Sequence, residues 1–337
     1  MKVTGNNMEK HLLPVEEYKE PIEFANQQLK IFWLPDEIKV EKDIQDVLVN
    51  FTESEKHAVI SVLKLFSIYE THAGDEYWGK RFKDMFDGAE FHRMASVFSM
   101  FELAVHAPFY NKINELLHIN TPEFYNSYQQ DEVLKARVEH LGEIIDHHSD
   151  LVSLAAFSMV EGVILYSSFA YLKHYQSEGK NKLMNVVRGI NFSVRDENLH
   201  SMAGAWAFKL KMKQKEEYWK SKGYDVEFQK QIVLAKIHQA EDLLVEHEDA
   251  IIDKIFEKGD IPGITSHQLK QFVRSRVNEC RKQLGLEKKY DVKYNPIADW
   301  FYKGINNYQF NDFFSGQGRE YNRNWDESAF TWGTSNG

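Results

Sequence analysis

Along most of this chain apolar residues recur at intervals of three and four, the period of one helix face. Four of these stripes carry an acid in their middle. The first runs Val59, Leu63, Phe66, Glu70, Ala73, Tyr77, and the second Phe91, Ala95, Phe98, Glu102, Val105, Phe109. The third runs Leu154, Phe157, Glu161, Leu165, and the fourth Ile190, Val194, Glu197, Gly204. Charge on an apolar face is costly unless it is paired or bound to metal. Taken singly, each glutamate is read more simply as lysine-paired or water-exposed.

The same periodicity sets out the elements. A short helix is expected over Pro21–Phe32, stopped by Trp33-Leu34-Pro35, and a second over Val40–Asn50. Thr52 or Ser54 caps a long helix running to about Lys83; Thr52 stands three residues before Glu55, the capping-box spacing. Further long helices are predicted over Gly88–His118, Asp131–Gln176 with an interruption near Gly142, Lys180–Met212, Val226–Lys258 and Ser266–Leu284. A shorter one begins at Thr121-Pro122. After Asn295-Pro296 the period fades while aromatics persist. This divides the chain into a loose arm (1–20), a helical domain (21–294) and an extended tail (295–337).

Composition narrows the class. The chain has 337 residues with 14% aromatics and only 7 prolines, which suits a large all-α bundle. A net charge of −10 argues against a nucleic-acid partner. No apolar run of transmembrane length and no signal peptide are expected, so no membrane role and a cytoplasmic location are the default. One cysteine, Cys280, excludes an internal disulfide or a dithiol pair, and no phosphate-cradling glycine motif occurs.

Taken together, the four acids point to metal. Glu197 and His200 form Glu-x-x-His, and Glu102 and His106 are four apart, so each pair shares a helix face. Two helices giving one Glu each and two giving a Glu/His pair is the ligand pattern of a dinuclear carboxylate site in a four-helix bundle. Six O/N ligands suit iron or manganese rather than structural zinc.

Several segments resemble the small (beta) subunit of class I ribonucleotide reductase, within the ferritin-like superfamily. Arg195-Asp196-Glu197-Asn198-Leu199-His200 resembles its R-D-E-x-x-H, and Glu161 through Ala170 resembles its E-x-x-x-F-Y-x-S-F-A helix. Glu55-Lys56-His57 leading to Glu70 resembles the first-ligand helix, and Phe32-Trp33-x-Pro-x-Glu the segment bearing a radical-transfer tryptophan. The resemblance covers about residues 30–325. It implies a ferritin-like bundle whose dinuclear centre is held by Glu70, Glu102, His106, Glu161, Glu197 and His200. Fe2 is the preferred filling, with Mn2 and Mn/Fe open. It also implies a radical on Tyr110, a relay through Trp33, His106 and Asp196, and a tail tyrosine, Tyr321, that hands the radical to the large (alpha) subunit. A homodimer is implied as well. Two positions differ from the family pattern. Leu103 stands where the second helix usually has its Glu, so Glu102 must serve, through a one-residue π-bulge. Near Tyr110, Leu165 replaces a frequent Phe and Ser193 an apolar residue.

Ribonucleotide reduction consumes two thiols, which one cysteine cannot supply, so the reducing site is expected in the large subunit. The alternative is a ferritin-like dimetal oxidase or oxygenase with its own substrate, which needs neither Trp33, Asp196 nor an aromatic tail. An iron-storage or purely structural helical protein is the third reading. The tail separates these. Phe330 and Trp332 are its expected docking anchors and Tyr321 its redox-active side chain. Deleting the residues after Asn324 is expected to abolish association with a reductase large subunit while leaving metal content intact. Tyr321→Phe is expected to bind normally in the same pull-down and to lose turnover; wild-type turnover in that variant refutes the relay.

Overall fold

The computed structural model describes residues 16–306, His147 excepted. Its principal helices are α1 (Glu20–Lys30), α2 (Glu53–Thr71), α3 (Ala89–Phe101), α4 (Ala107–Leu116), α5 (Glu132–Asp146), α6 (Asp150–Val163), α7 (Tyr166–Lys173), α8 (Met184–Ser221), α9 (Val226–Ile255), α10 (Ser266–Leu284) and α11 (Pro296–Asn306). No β-strand occurs among the described residues. Four segments surround the centre: α2, the α3–α4 pair, α6 and α8. The 38-residue α8 lies along α6, and α2 packs against α4. Helices α9 and α10 close the bundle over α6, and α1 covers α3.

Local chemistry explains the boundaries. Thr52 rather than Ser54 caps α2: its hydroxyl accepts from the Glu55 amide at 3.3 Å, and Glu55 accepts from the Thr52 amide at 2.8 Å. Ser54 instead bonds the Lys258 carbonyl at 2.6 Å. The segment expected to be one helix over Val40–Asn50 is a short 3₁₀ turn (Val40–Lys42) followed by a π turn (Asp46–Asn50). Its acids are spent elsewhere. Asp43 accepts from the amides of Asn185 (2.6 Å) and Val186 (2.7 Å), and Asp46 from that of Leu183 (2.9 Å). These bonds satisfy the orphan donors at the start of α8, which begins at Met184 and runs on to Ser221, well past Met212.

The long helical run across 131–176 breaks twice, and not at Gly142, which lies inside α5. One break falls between Asp146 and Asp150. The other follows Glu161: Ile164 is extended and Leu165 takes a left-handed conformation (φ 66°). The expectation of no apolar run of transmembrane length also needs correction. A window within Asp150–Ser177 qualifies by length and composition, and all of it is buried inside the bundle.

Two more expectations shift at the ends. The arm is anchored at residues 17 and 18, whose amides both donate to Glu90 at 3.3 Å, while the Tyr18 ring meets Phe91 and Trp206. The segment expected to be extended from Asn295 opens as α11. Pro296 starts it, and Ile297 and Phe301, four apart, enter the core. The later tail, with Tyr321, Phe330 and Trp332, lies outside the described residues.

At Gly162 the helices α6, α8 and α10 pack closely. A Cβ there would sit 2.3 Å from the Cys280 sulfur and 2.5 Å from the Ser201 hydroxyl oxygen. Gly162→Ala is therefore expected to lose about 1–3 kcal/mol by urea unfolding. Cys280→Ala in the same background should recover part of that loss; an unaltered midpoint in Gly162→Ala would show that the three helices are not in close contact here.

Candidate metal centre

The four acid-bearing stripes converge. Glu70 lies at the end of α2, Glu161 near the end of α6, and Glu197 and His200 on adjacent turns of α8. Glu102 and His106 bound a π-helical segment, Glu102–His106, that joins α3 to α4. The extra residue in this turn settles which side chain faces inward: Glu102 is fully buried, while Leu103 is 39% exposed. A second π segment, His72–Arg81, faces it. The two approach so closely at Gly74 that a Cβ would fall 2.8 Å from the Glu102 Cβ and 2.7 Å from the Leu103 Cγ.

All six side chains are at most 2% exposed. They fall into two groups of mutually close ligand atoms: Glu70, Glu102, His106 and Glu197 form one, and Glu102, Glu161, Glu197 and His200 the other. Glu102 and Glu197 belong to both. Two positions sharing two carboxylates is the arrangement that holds a pair of cations close together. His106 Nδ1 lies 2.8 Å from Glu102, 3.4 Å from Glu197 and 3.6 Å from Glu70; His200 Nδ1 lies 2.6 Å from Glu102.

The donor set fits a metal pair on its own chemistry. Both oxygens of Glu70, both of Glu197 and Nε2 of His200 are buried without a hydrogen-bond partner, while Oε1 of Glu102 and Nδ1 of His200 face each other at 2.6 Å. Native interiors rarely leave so many acceptors unmatched in one place, and bound cations are the natural counterpart. Electrostatics agree. Burial, reinforced by Glu102, pushes Glu70 and Glu197 well above the usual carboxylate range. Burial would also raise Glu102, but His106 and His200 on either side bring it well below that range. Burial opposes charge on both histidines and is outweighed by Glu102, so His106 is raised well above its ordinary value and His200 to about 9.

Behind the ligands the side chains form directed hydrogen bonds. Asp196 Oδ2 accepts from the Trp33 indole at 2.8 Å and meets His106 Nε2 at 3.1 Å. The carboxylate therefore holds the proton of His106 on Nε2 and turns Nδ1 toward the cluster. Trp33 is buried among His106, Phe109 and Phe192. Tyr110, also buried, donates to the Ser193 hydroxyl at 3.1 Å with its ring against Phe66 and Phe109. Burial, then the charge of Glu70, pushes its phenol well above the usual range. Tyr321 lies outside the described residues, so nothing here bears on it.

Two contributors were not visible in the sequence. The Trp78 indole donates to Glu161 Oε1 at 2.7 Å, and the Tyr69 hydroxyl to Glu161 Oε2 at 3.2 Å. A regular helix would bring Tyr77, seven residues past Glu70, onto the ligand face; the π winding brings Trp78 there instead. For Tyr69, one residue before Glu70, helical spacing gives no signal at all.

Comparison with known proteins agrees with this geometry. The family described as ribonucleotide reductase, small chain, matches residues 12–296. Curated relatives include the ribonucleoside-diphosphate reductase subunit beta of Halalkalibacterium halodurans, 27% identical over 303 residues, covering 86% of this chain and 82% of that protein. The Bacillus subtilis subunit of the same name is 26% identical over 313 residues, covering 89% and 88%. Among solved structures, a dimanganese(II)-NrdF from Streptococcus sanguinis superposes with a TM-score of 0.72 at 20% identity, covering 90% of this chain and 99% of that one. The chain belongs to the ribonucleotide reductase small-chain family, the small subunits of class I enzymes, and has their ferritin-like fold.

Protonation of the metal-free cluster has a measurable consequence. The folded value of His200, about 9, exceeds its ordinary 6.5. Its contribution to stability is therefore complete below pH 6.5 and is lost as pH rises through 9, a change on the order of 3 kcal/mol. The raised Glu70 and Glu197 act in the same direction, starting from 4.5. Metal-free protein is expected to melt at progressively lower temperature between pH 6.5 and 9. Adding Mn(II) at pH 7 in weak buffer should release protons. A pH-independent melting temperature, or uptake without proton release, would contradict this charge assignment.

Proposed function

We propose that this chain is the radical-generating subunit of a ribonucleoside-diphosphate reductase. Its six buried ligands hold two redox-active ions, iron or manganese, and Tyr110 is the side chain oxidised. Bound ions of this kind supply a one-electron oxidant derived from oxygen or a reduced oxygen species. The observation that carries the reading is the line Trp33–Asp196–His106. It runs from a buried indole through one carboxylate oxygen to a ligand. A dimetal oxidase acting on its own substrate has no use for such a line.

The protein's own groups then have separable tasks. The buried setting against Phe66 and Phe109 keeps water from the Tyr110 phenol, and its raised pKa keeps the proton on the oxygen until an electron leaves. The hydrogen bond to Ser193 Oγ fixes the direction of the phenolic O–H before oxidation. Asp196 holds both Trp33 and His106 by their N–H protons, so the relay is fixed in place before any electron moves. Tyr321 in the tail completes the path to a large subunit, where the nucleotide is reduced. The active assembly contains two copies of this chain with the large subunit, in the cytoplasm.

Metal content and spectroscopy test this together. Glu161→Ala and His200→Ala are expected to lose most bound metal, with diffraction at the Fe and Mn edges identifying the ions in the unaltered protein. Tyr110→Phe is expected to keep its metals, lose the radical signal in electron paramagnetic resonance, and fail in turnover with a class I large subunit. An unchanged radical signal and unchanged activity in Tyr110→Phe would falsify the tyrosyl assignment.

A further inference from the structure

Helix α6 stops two residues after Glu161. The chain turns out at Ile164 and Leu165, so the last carbonyls of α6 lose the amide donors that a continuing helix would give them. The Val160 carbonyl keeps its ordinary helical bond, from the Ile164 amide at 3.1 Å. The Gly162 carbonyl, next to the ligand, is recovered by a side chain from another helix: Arg276 of α10 donates to it from Nε at 3.0 Å.

Arg276 is 4% exposed, and among the described residues its hydrogen-bond partners are neutral. Its guanidinium lies over the Tyr166 ring at 4.1 Å, and Nη1 donates to the Tyr302 hydroxyl at 3.0 Å. A cation at the C-terminal end of a helix complements the partial negative charge there. This accounts for a buried guanidinium without a carboxylate partner among the described residues. Tyr302 belongs to α11, the last described helix and the one that leads into the tail, and it lies beyond the residues matched to the family.

We infer that Arg276 is a positioning residue for Glu161, fixing the broken end of α6 through the Gly162 carbonyl, and that Tyr302 sets Arg276 in place, so that the metal position of Glu102, Glu161, Glu197 and His200 depends on α11. The inference rests on the dinuclear reading. Trp78 and Tyr69 orient the Glu161 carboxylate from its two oxygens, while Arg276 fixes the backbone that carries it. Neither replaces the other. A guanidinium suits the task because it donates from Nε and Nη1 in two directions at once, which an ammonium on a flexible stem does less well.

The test is a Mn(II) titration of the full-length metal-free protein, followed by electron paramagnetic resonance. The unaltered chain should bind two Mn(II), the second giving an exchange-coupled pair signal. Arg276→Met is expected to weaken one of the two Mn(II), the one held with Glu161, about tenfold, the scale on which groups behind metal ligands act. The other Mn(II) should bind as before, and the pair signal should change. Tyr302→Phe, which removes one oxygen, should move the same affinity in the same direction by a smaller factor. Arg276→Lys should recover part of the loss. A purely structural role would lower the melting temperature of the metal-free protein without changing the ratio of the two affinities. Unchanged affinities and an unchanged pair signal in both Arg276→Met and Tyr302→Phe would overturn the inference alone. Failure of the unaltered protein to take up two Mn(II) would overturn the dinuclear reading and this inference with it. Tyr302→Phe removes no packed carbon atoms, so it remains informative if Arg276→Met does not fold.

Discussion

Glu70, Glu102, Glu161 and Glu197, with Asp196 behind them, are buried together with two histidines in a core otherwise built of aromatic and aliphatic side chains. Transferring even one unpaired carboxylate out of water costs several kcal/mol, so this concentration of charge constrains everything around it. Each acid must find protons, histidines, hydrogen-bond donors or cations. The metal-free answer is visible in the geometry: Glu102 lies between His106 and His200, Glu161 takes the Trp78 and Tyr69 donors, and Asp196 takes Trp33 and His106. Glu70 and Glu197 are left with bare oxygens. The site is built for guests that bring positive charge.

Meeting that constraint distorts the helices. Two π segments, His72–Arg81 and Glu102–His106, lie against each other beside the site. Each rotates the side chains beyond it relative to a regular helix. One rotation turns Glu102 inward and Leu103 outward; the other brings Trp78 to Glu161. The break after Glu161 is a third distortion, and it needs an arginine from α10 to satisfy what it exposes. Three departures from regular helix therefore lie at the site, while α8, α9 and α10 run undisturbed. The same irregularity couples the site to distant parts of the chain. Trp33 reaches it from the segment after α1, and Tyr302 from α11.

Much of this was legible in the chain itself. The three-and-four spacing of apolar residues marked the helices, because burying one stripe is what stabilises a helix in a bundle. Acids inside those stripes marked the four candidate carboxylates, because charge is otherwise excluded from such faces. The Glu-x-x-His and the four-residue interval from Glu102 to His106 gave the pairing, since both intervals lie on one helix face. Even the need for a widened turn at Glu102 followed from the absence of another carboxylate nearby on that helix.

Tertiary structure decided what local spacing does not encode. Which four ligand atoms form each group depends on how four helices meet, and no interval within one helix reports that. Trp78, Tyr69 and Arg276 come to Glu161 and its neighbour Gly162 from 83, 92 and 114 residues away in sequence. The capping of α8 by Asp43 and Asp46 is of the same kind: the acids lie about 140 residues before the amides they satisfy. Asn295-Pro296 looked like the end of regular structure because one turn of α11 contributes only Ile297 and Phe301 to the core, too few positions to establish a period. Periodicity records which face of an element is buried; only the packed bundle determines what that face meets.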